Sequence, residues 1–153
     1  SGIALRFPWV FGAGRERGIT SMYSSKLLDA VARGQKLVID NPDETGDWLY
    51  VKDAVRAIIL ALNTERNNRT AYNIMGGAHS IREVLSLARE LVPAADITYE
   101  GGGIRKSPYP SAYDDSMARR ELGWAPRYSI RDAVRDHMET VSGRRLDAGR
   151  QNR

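Results

Sequence analysis

The fold is decided by Trp48-Leu49-Tyr50-Val51-Lys52-Asp53-Ala54-Val55-Arg56-Ala57-Ile58-Ile59-Leu60-Ala61-Leu62. Its first four residues are large and apolar or aromatic, the composition of a short strand. Asp53 then opens a helix, because a carboxylate suits the N-terminal turn. Val55, Ile58, Ile59 and Leu62 recur at i, i+3, i+4 and i+7, the spacing of one buried helical stripe. A strand running straight into a helix is the repeating unit of α/β architecture.

The same alternation extends outward from that segment. Upstream, residues 2–7 read as a buried strand ending at Pro8, whose missing N–H denies a ladder donor. Phe11 to Gly18 is a glycine-rich loop. A helix over 21–33 follows, with Gly34 as its stop, then a strand over 36–40 and a turn over 41–46. Downstream come a strand over 71–75, a Gly76-Gly77 turn and the capping box Ser80-Ile81-Arg82-Glu83. The helix it starts carries Val84, Leu85, Ala88, Leu91 and Val92 on one face. A strand over 97–100, a hinge at Gly101-Gly102-Gly103, a short helix over 115–122 closed by Gly123, and a final helix capped by Ser129 complete the chain. The class is α/β, with no internal repeat.

Composition narrows the function. The chain has 153 residues and no cysteine, which excludes a disulfide scaffold and a thiolate zinc site. Its longest apolar run, Ala57 to Leu62, falls far short of the roughly 20 residues that span a bilayer. With no basic-then-apolar leader, the cytoplasm is the expected compartment. The chain opens at Ser1-Gly2 without Met and enters a strand at once, so it is expected to be a fragment. Three of the four net positive charges belong to residues from Gly143 onward, read as a disordered basic tail over 143–153. That leaves a near-neutral body and no nucleic-acid partner is expected.

Chemistry-bearing constellations are few. Gly12-x-Gly14-x-x-x-Gly18 has three residues before its last glycine, where a dinucleotide fingerprint needs two, and reads as a flexible loop. His79 and His137 are the only histidines and fall in separate elements, so no metal site is expected. His137 lies on an apolar helix face and reads as a satisfied core histidine. Asp114 and Asp115 read as helix N-capping carboxylates. No nucleophile triad is present, and none of the seven tyrosines has a lysine four residues later.

Four segments together resemble the extended short-chain dehydrogenases/reductases, the NAD-dependent epimerase/dehydratase group. Leu5 to Gly12 is similar to that group's strand and loop "LRxxxVYG", and Asp47 to Ala54 to its "RDFVYVDDVA". Ala71 to Ile74 is similar to its "YNIG". Asp114 to Ala118 with Glu121 to Pro126 is similar to its "D-x-SKA…ELGWxP". The set runs in family order over residues 3–141. The resemblance implies the C-terminal half of a longer enzyme: the last strands and helix of a Rossmann-type fold interleaved, over 1–142, with a small α/β substrate domain. It also implies NAD or NADP as cofactor, bound mainly by an N-terminal half that carries the glycine-rich loop and the Tyr-x-x-x-Lys. Without those, this chain alone would be catalytically silent. A small-molecule substrate and either the missing half or a second copy would be its partners.

Position by position, the resemblance places Pro8, Trp9 and Val10 on the loop bordering the nicotinamide, or equally in a packed strand end. Trp9 stands where nucleotide-sugar epimerases commonly have a substrate-touching Asn. Gly46 stands where they commonly have an Arg gripping the diphosphate, a role glycine cannot fill. Both departures count against a nucleotide-sugar substrate. Arg105, five residues before Pro110, matches a later family arginine and reads either as an anion grip or as a solvated loop residue. A closer likeness is to the short-chain L-threonine 3-dehydrogenases. Gly18 to Tyr23 resembles their "GGTTDY", Ile97 to Glu100 their "ITYE", and Tyr109 to Ser116 their "WPxSIDDS". Tyr109 would then touch substrate, and Thr20 and Ser21 would donate hydroxyls to it or cap a helix instead. A nucleotide-sugar epimerase fragment and a stand-alone non-catalytic binding module are the alternatives.

Overall fold

The computed structural model describes residues 2–64, 71–101 and 110–146. The element order is β1 (Ala4–Arg6), β2 (Trp9–Phe11), a 3-10 turn (Ile19–Ser21), α1 (Ser25–Ala32), β3 (Leu37–Ile39), β4 (Thr45–Tyr50) and α2 (Val51–Leu62). Then follow β5 (Ala71–Asn73), β6 (Ala78–Ser80), α3 (Ile81–Leu91), β7 (Ile97–Tyr99), α4 (Ser116–Leu122) and α5 (Ile130–Ser142). The α/β class read from the alternation is the one observed.

Three parallel pairs form separate sheets, β1 with β5, β2 with β4, and β3 with β7, and β6 adds antiparallel to β4 in the second of them. The β2–β4 pair is a wall between two cores. Its register sets Trp9 beside Trp48, Val10 beside Leu49 and Phe11 beside Tyr50. Because successive strand residues point to opposite faces, Trp9, Phe11, Trp48 and Tyr50 enter a larger core with α1, α3 and α5. Leu49 and Val10 turn the other way, into a smaller core with Ala54, Ala57, Tyr72, Leu122 and Trp124. Edge-on contacts knit the larger core: Trp9 to Trp48 at 5.9 Å, Phe11 to Trp48 at 5.6 Å and Tyr50 to Tyr128 at 5.0 Å between ring centres.

Several expected boundaries move. The strand expected over 2–7 is β1, and a second strand, β2, follows Pro8 where none was expected: the Val10 amide turns back to the Pro8 carbonyl, and the chain changes partner from β5 to β4. β1 is not a buried strand, since Ala4 and Arg6 are exposed and only β5 pairs with it. The helix expected over 21–33 begins at Ser25, because Gly18 to Ser24 closes in i→i+3 steps, Ser21 N to Gly18 O at 3.1 Å and Tyr23 N to Thr20 O at 3.3 Å. β6 escaped the sequence reading, being three residues directly after Gly76-Gly77. The capping box at Ser80 and Glu83 forms as read, and Ser129 caps α5 by accepting from the Asp132 amide. Asp114, not Asp115, receives the Ser116 amide at the start of α4, and Asp115 pairs with Arg119 at 2.9 Å. The Gly143 segment folds back, with Leu146 N donating to Glu139 Oε1 at 2.8 Å. Residues 147–153 lie outside the described residues.

Two corrections concern α2. Tyr50, not Asp53, occupies its N-cap position. Asp53 is 2% exposed, and its two oxygens accept the Arg127 and Tyr128 amides at 3.0 and 3.1 Å, tying α2 to the approach to α5. The stripe Val55, Ile58, Ile59 and Leu62, which spacing alone reads as buried and the family resemblance reads as a face left bare by a missing half, is 43–79% exposed; α2 turns Ala54 and Ala57 inward instead. Small side chains there let α2 approach β4 closely. Ile58, Ala61 and Leu62 continue with Ile3, Leu5 and Phe7 into an open apolar groove of about 520 Å³.

His137 is fully buried on α5, its Nε2 2.7 Å from Asp29 Oδ1 of α1, while Nδ1 has no partner among the described residues. Burial pushes the imidazole below its ordinary pKa, and the Asp29 bond pulls it partly back. A folded value below the unfolded one means the unfolded chain binds the proton more readily. Stability is therefore present in full above the unfolded value of about 6.5 and is lost as pH falls below it. Urea denaturation at about pH 7 and about pH 5 will show this loss, and His137→Gln will flatten it. A second expectation concerns Asp53: Asp53→Ala removes the acceptor of two partly buried hydrogen bonds and costs about 2 kcal/mol, and Asp53→Asn, which keeps one acceptor, about half that, both read from denaturation midpoints.

Candidate functional site

The candidate site grows from the loop between β2 and α1. At its start, Gly12 lies so close to Val51 that a Cβ would overlap that side chain, and its amide donates to Ser25 Oγ at 3.2 Å. At its end, Ser21 Oγ donates to Gly18 O at 2.6 Å and Ser24 Oγ to Thr20 O at 2.8 Å. The loop is therefore pinned at both ends by serines of its own segment. Ser21 is fully buried with its hydroxyl engaged, and it sits in the 3-10 turn rather than at a helix cap. Thr20 is half-buried, and its Oγ1 accepts from Arg15 Nη2 at 2.7 Å. Burial lowers the Arg15 pKa from its ordinary value, and its Nη1 is enclosed without a partner.

Beside this loop lies a groove of about 270 Å³ between Met22, Tyr23 and Leu27 on one side and Val38, Ile39 and Asn41 on the other. Asn41 Nδ2 is enclosed there without a partner. Trp9 is 3% exposed and stacks on Tyr23, ring centres 6.1 Å apart and 23° from parallel. Its indole lies over Gly46, where any Cβ would overlap the ring. The two departures from the epimerase pattern, Trp at 9 and Gly at 46, are thus one packing event.

Of the residues singled out from the sequence, the structure gathers Trp9, Thr20 and Ser21 around the Gly18–Tyr23 segment. Pro8 stands partly buried at the strand break, and Val10 packs on the smaller core, away from this groove. Arg105 and Tyr109 lie outside the described residues. Arg15, Tyr23 and Asn41 escaped the sequence reading. Arg15 falls among the three residues that interrupt the glycine pattern, and nothing local marks Asn41 as anything but a turn residue. Among the described residues no group of three or more metal-ligating side chains converges.

Comparison with known proteins agrees with this architecture. The family model for GDP-mannose 4,6 dehydratase matches residues 13–137. The mitochondrial L-threonine 3-dehydrogenase of Sus scrofa is 26% identical over 85% of this chain and 37% of its own length. The dTDP-6-deoxy-L-talose 4-dehydrogenase (NAD(P)(+)) of Kitasatospora kifunensis is 28% identical over 89% of this chain and 45% of its own length. Among solved structures, the apo form of the GalE-like L-threonine dehydrogenase from Cupriavidus necator superposes with a TM-score of 0.78 at 26% identity, over 90% of this chain and 52% of that one. The chain spans less than half the length of these two curated relatives. The matched span carries the site loop from Ala13 onward, the Trp9-facing strand β4 and the first eight residues of α5. On that evidence the chain belongs to the GDP-mannose 4,6 dehydratase family of extended short-chain dehydrogenases/reductases.

Proposed function

We propose that the chain is the substrate-binding half of an NAD(P)-dependent oxidoreductase of the epimerase/dehydratase type, acting on a small polar substrate. The observation that carries this reading is the Trp9–Gly46 pair at the edge of the groove. An arginine at 46, suited to a diphosphate, has no room beneath the indole. That favours a small substrate over a nucleotide sugar, in line with relatives named L-threonine 3-dehydrogenase. Thr20 lies on the loop beside the groove, and the family resemblance adds Arg105 and Tyr109 as substrate-binding residues. Ser21 supports the loop, since its hydroxyl already serves Gly18.

The cofactor would supply the hydride acceptor, and Pro8 to Val10 would border its nicotinamide. The fit is partial. The break at Pro8 leaves a strand end in the right order, but the Trp9 ring itself points into the larger core. Proton transfer would fall to a Tyr-x-x-x-Lys, which this sequence does not contain. The uncovered groove between β1 and α2 would receive the half that carries it. No helix among the described residues is long and apolar enough to cross a membrane, and we place the enzyme in the cytoplasm.

Two outcomes test this. With NAD+ and L-threonine, the chain alone will produce no reduced nicotinamide, and a protein that joins it to a segment bearing the glycine-rich loop and Tyr-x-x-x-Lys will. Turnover by the chain alone would overturn the reading. The isolated chain will also bind a hydrophobic dye and self-associate in sedimentation. Ile58→Asp with Leu62→Asp will abolish both while shifting stability by no more than about 0.5 kcal/mol per site, since both side chains are exposed.

A further inference from the structure

Three enclosed donors without an acceptor lie near one short segment. Leaving a buried donor unsatisfied costs about 1–3 kcal/mol, and more when it is charged, so a set of them calls for an acceptor from outside the chain. Among the described residues, Trp124 Nε1 in the smaller core is in this state, and so are Trp9 Nε1, Arg15 Nη1 and Asn41 Nδ2. Arg15 is bonded to Thr20, Trp9 is stacked on Tyr23, and Asn41 shares the groove wall opposite Tyr23. All three are therefore tied to Thr20–Tyr23.

Arg15 is the charged member. One arm of its guanidinium is fixed on Thr20 Oγ1 at 2.7 Å, which sets the plane of the fork and leaves Nη1 unused. Thr20 accepts that bond, so its own proton stays free to be donated. Two donors thus stand side by side. Gly14 and Gly18, at φ of +82° and +105°, bend the loop back so that the arginine meets Thr20. The loop borders an open depression of about 490 Å³ flanked by Glu16 and Arg17, which admits a solute from solvent.

The geometry points to an oxyanion subsite in which Arg15 Nη1 and the Thr20 hydroxyl together take the oxygens of a substrate carboxylate or phosphate. It rests on the reading of the neighbouring groove as the substrate's seat. A planar fork on a desolvated arginine suits such a group better than a neutral carbonyl.

Nuclear magnetic resonance on the nitrogen-15-labelled chain tests it, with sodium pyrophosphate, L-threonine and L-threoninamide as probes. The Arg15 guanidinium and Thr20 amide signals will shift saturably with pyrophosphate, with L-threonine or with both, and not with the amide, which lacks the carboxylate. A response to pyrophosphate alone assigns the phosphate source, and one to L-threonine alone the carboxylate. Arg15→Gln will weaken the response at least about tenfold, and Arg15→Lys, which keeps the charge without the fork, will fall between. Thr20→Val will weaken it with the guanidinium still present. The inference is overturned if neither oxyanion shifts these signals, if L-threoninamide binds as well as L-threonine, or if Arg15→Gln binds like the parent. Failure of the oxidoreductase reading would show instead as absent hydride transfer in the joined protein, with these shifts unchanged.

Discussion

The pairing of β2 with β4 is the constraint on which the other elements depend. Six residues in parallel register divide the interior, because each strand sends alternate side chains to opposite faces. Four aromatic rings go to one side and smaller aliphatic groups to the other. Removing water from those rings is the largest single block of apolar burial available to so short a pair of strands. α1, α3 and α5 close over the aromatic face, and α2, β5 and α4 over the aliphatic one. The candidate site loop begins at the last residue of β2, so its position is inherited from this wall.

That inheritance explains why the candidate groove is built of side chains that look structural. Trp9 packs like a core residue on Trp48, yet the same ring stacks on Tyr23, which lines the groove. Ser21, Ser24 and Ser25 tie their hydroxyls to the loop backbone, while Arg15 bonds Thr20 across the same loop with one nitrogen enclosed and unused. A segment stabilised from within can present two donors at fixed separation without help from a bound ligand, which is what preorganised recognition requires.

Much of the fold was legible from local rules. Ser80 with Glu83, Ser129 and Gly123 mark helix ends by short-range hydrogen bonding and positive φ, and all act in the structure where the sequence places them; Gly143, read only as the start of a tail, proves to close α5. The errors fall where distant contacts decide. The α2 stripe has perfect helical spacing, yet spacing says only that a face is apolar, not that this chain covers it. Asp53 has the chemistry of a cap, but two amides some 75 residues away claim its carboxylate. Ser21 to Ser24 have helical spacing with Leu27 and Leu28, and the tight turn preceding α1 delays the helix by four residues. In the site, Thr20 and Trp9 were found through resemblance alone. Arg15 and Asn41 were not, because an unmatched donor exists only once the chain has folded around it.

The crowding of Trp9 against Gly46 also fixes an order of events in descent. A lineage moving between the two pocket types cannot acquire a side chain at 46 while the indole remains at 9, since the newcomer would lie inside the ring. The indole has to be lost first, and the intermediate carries a void where two aromatic neighbours met. Passage in either direction therefore crosses a less stable ancestor, and randomising one of the two positions by itself will never reach the other pocket.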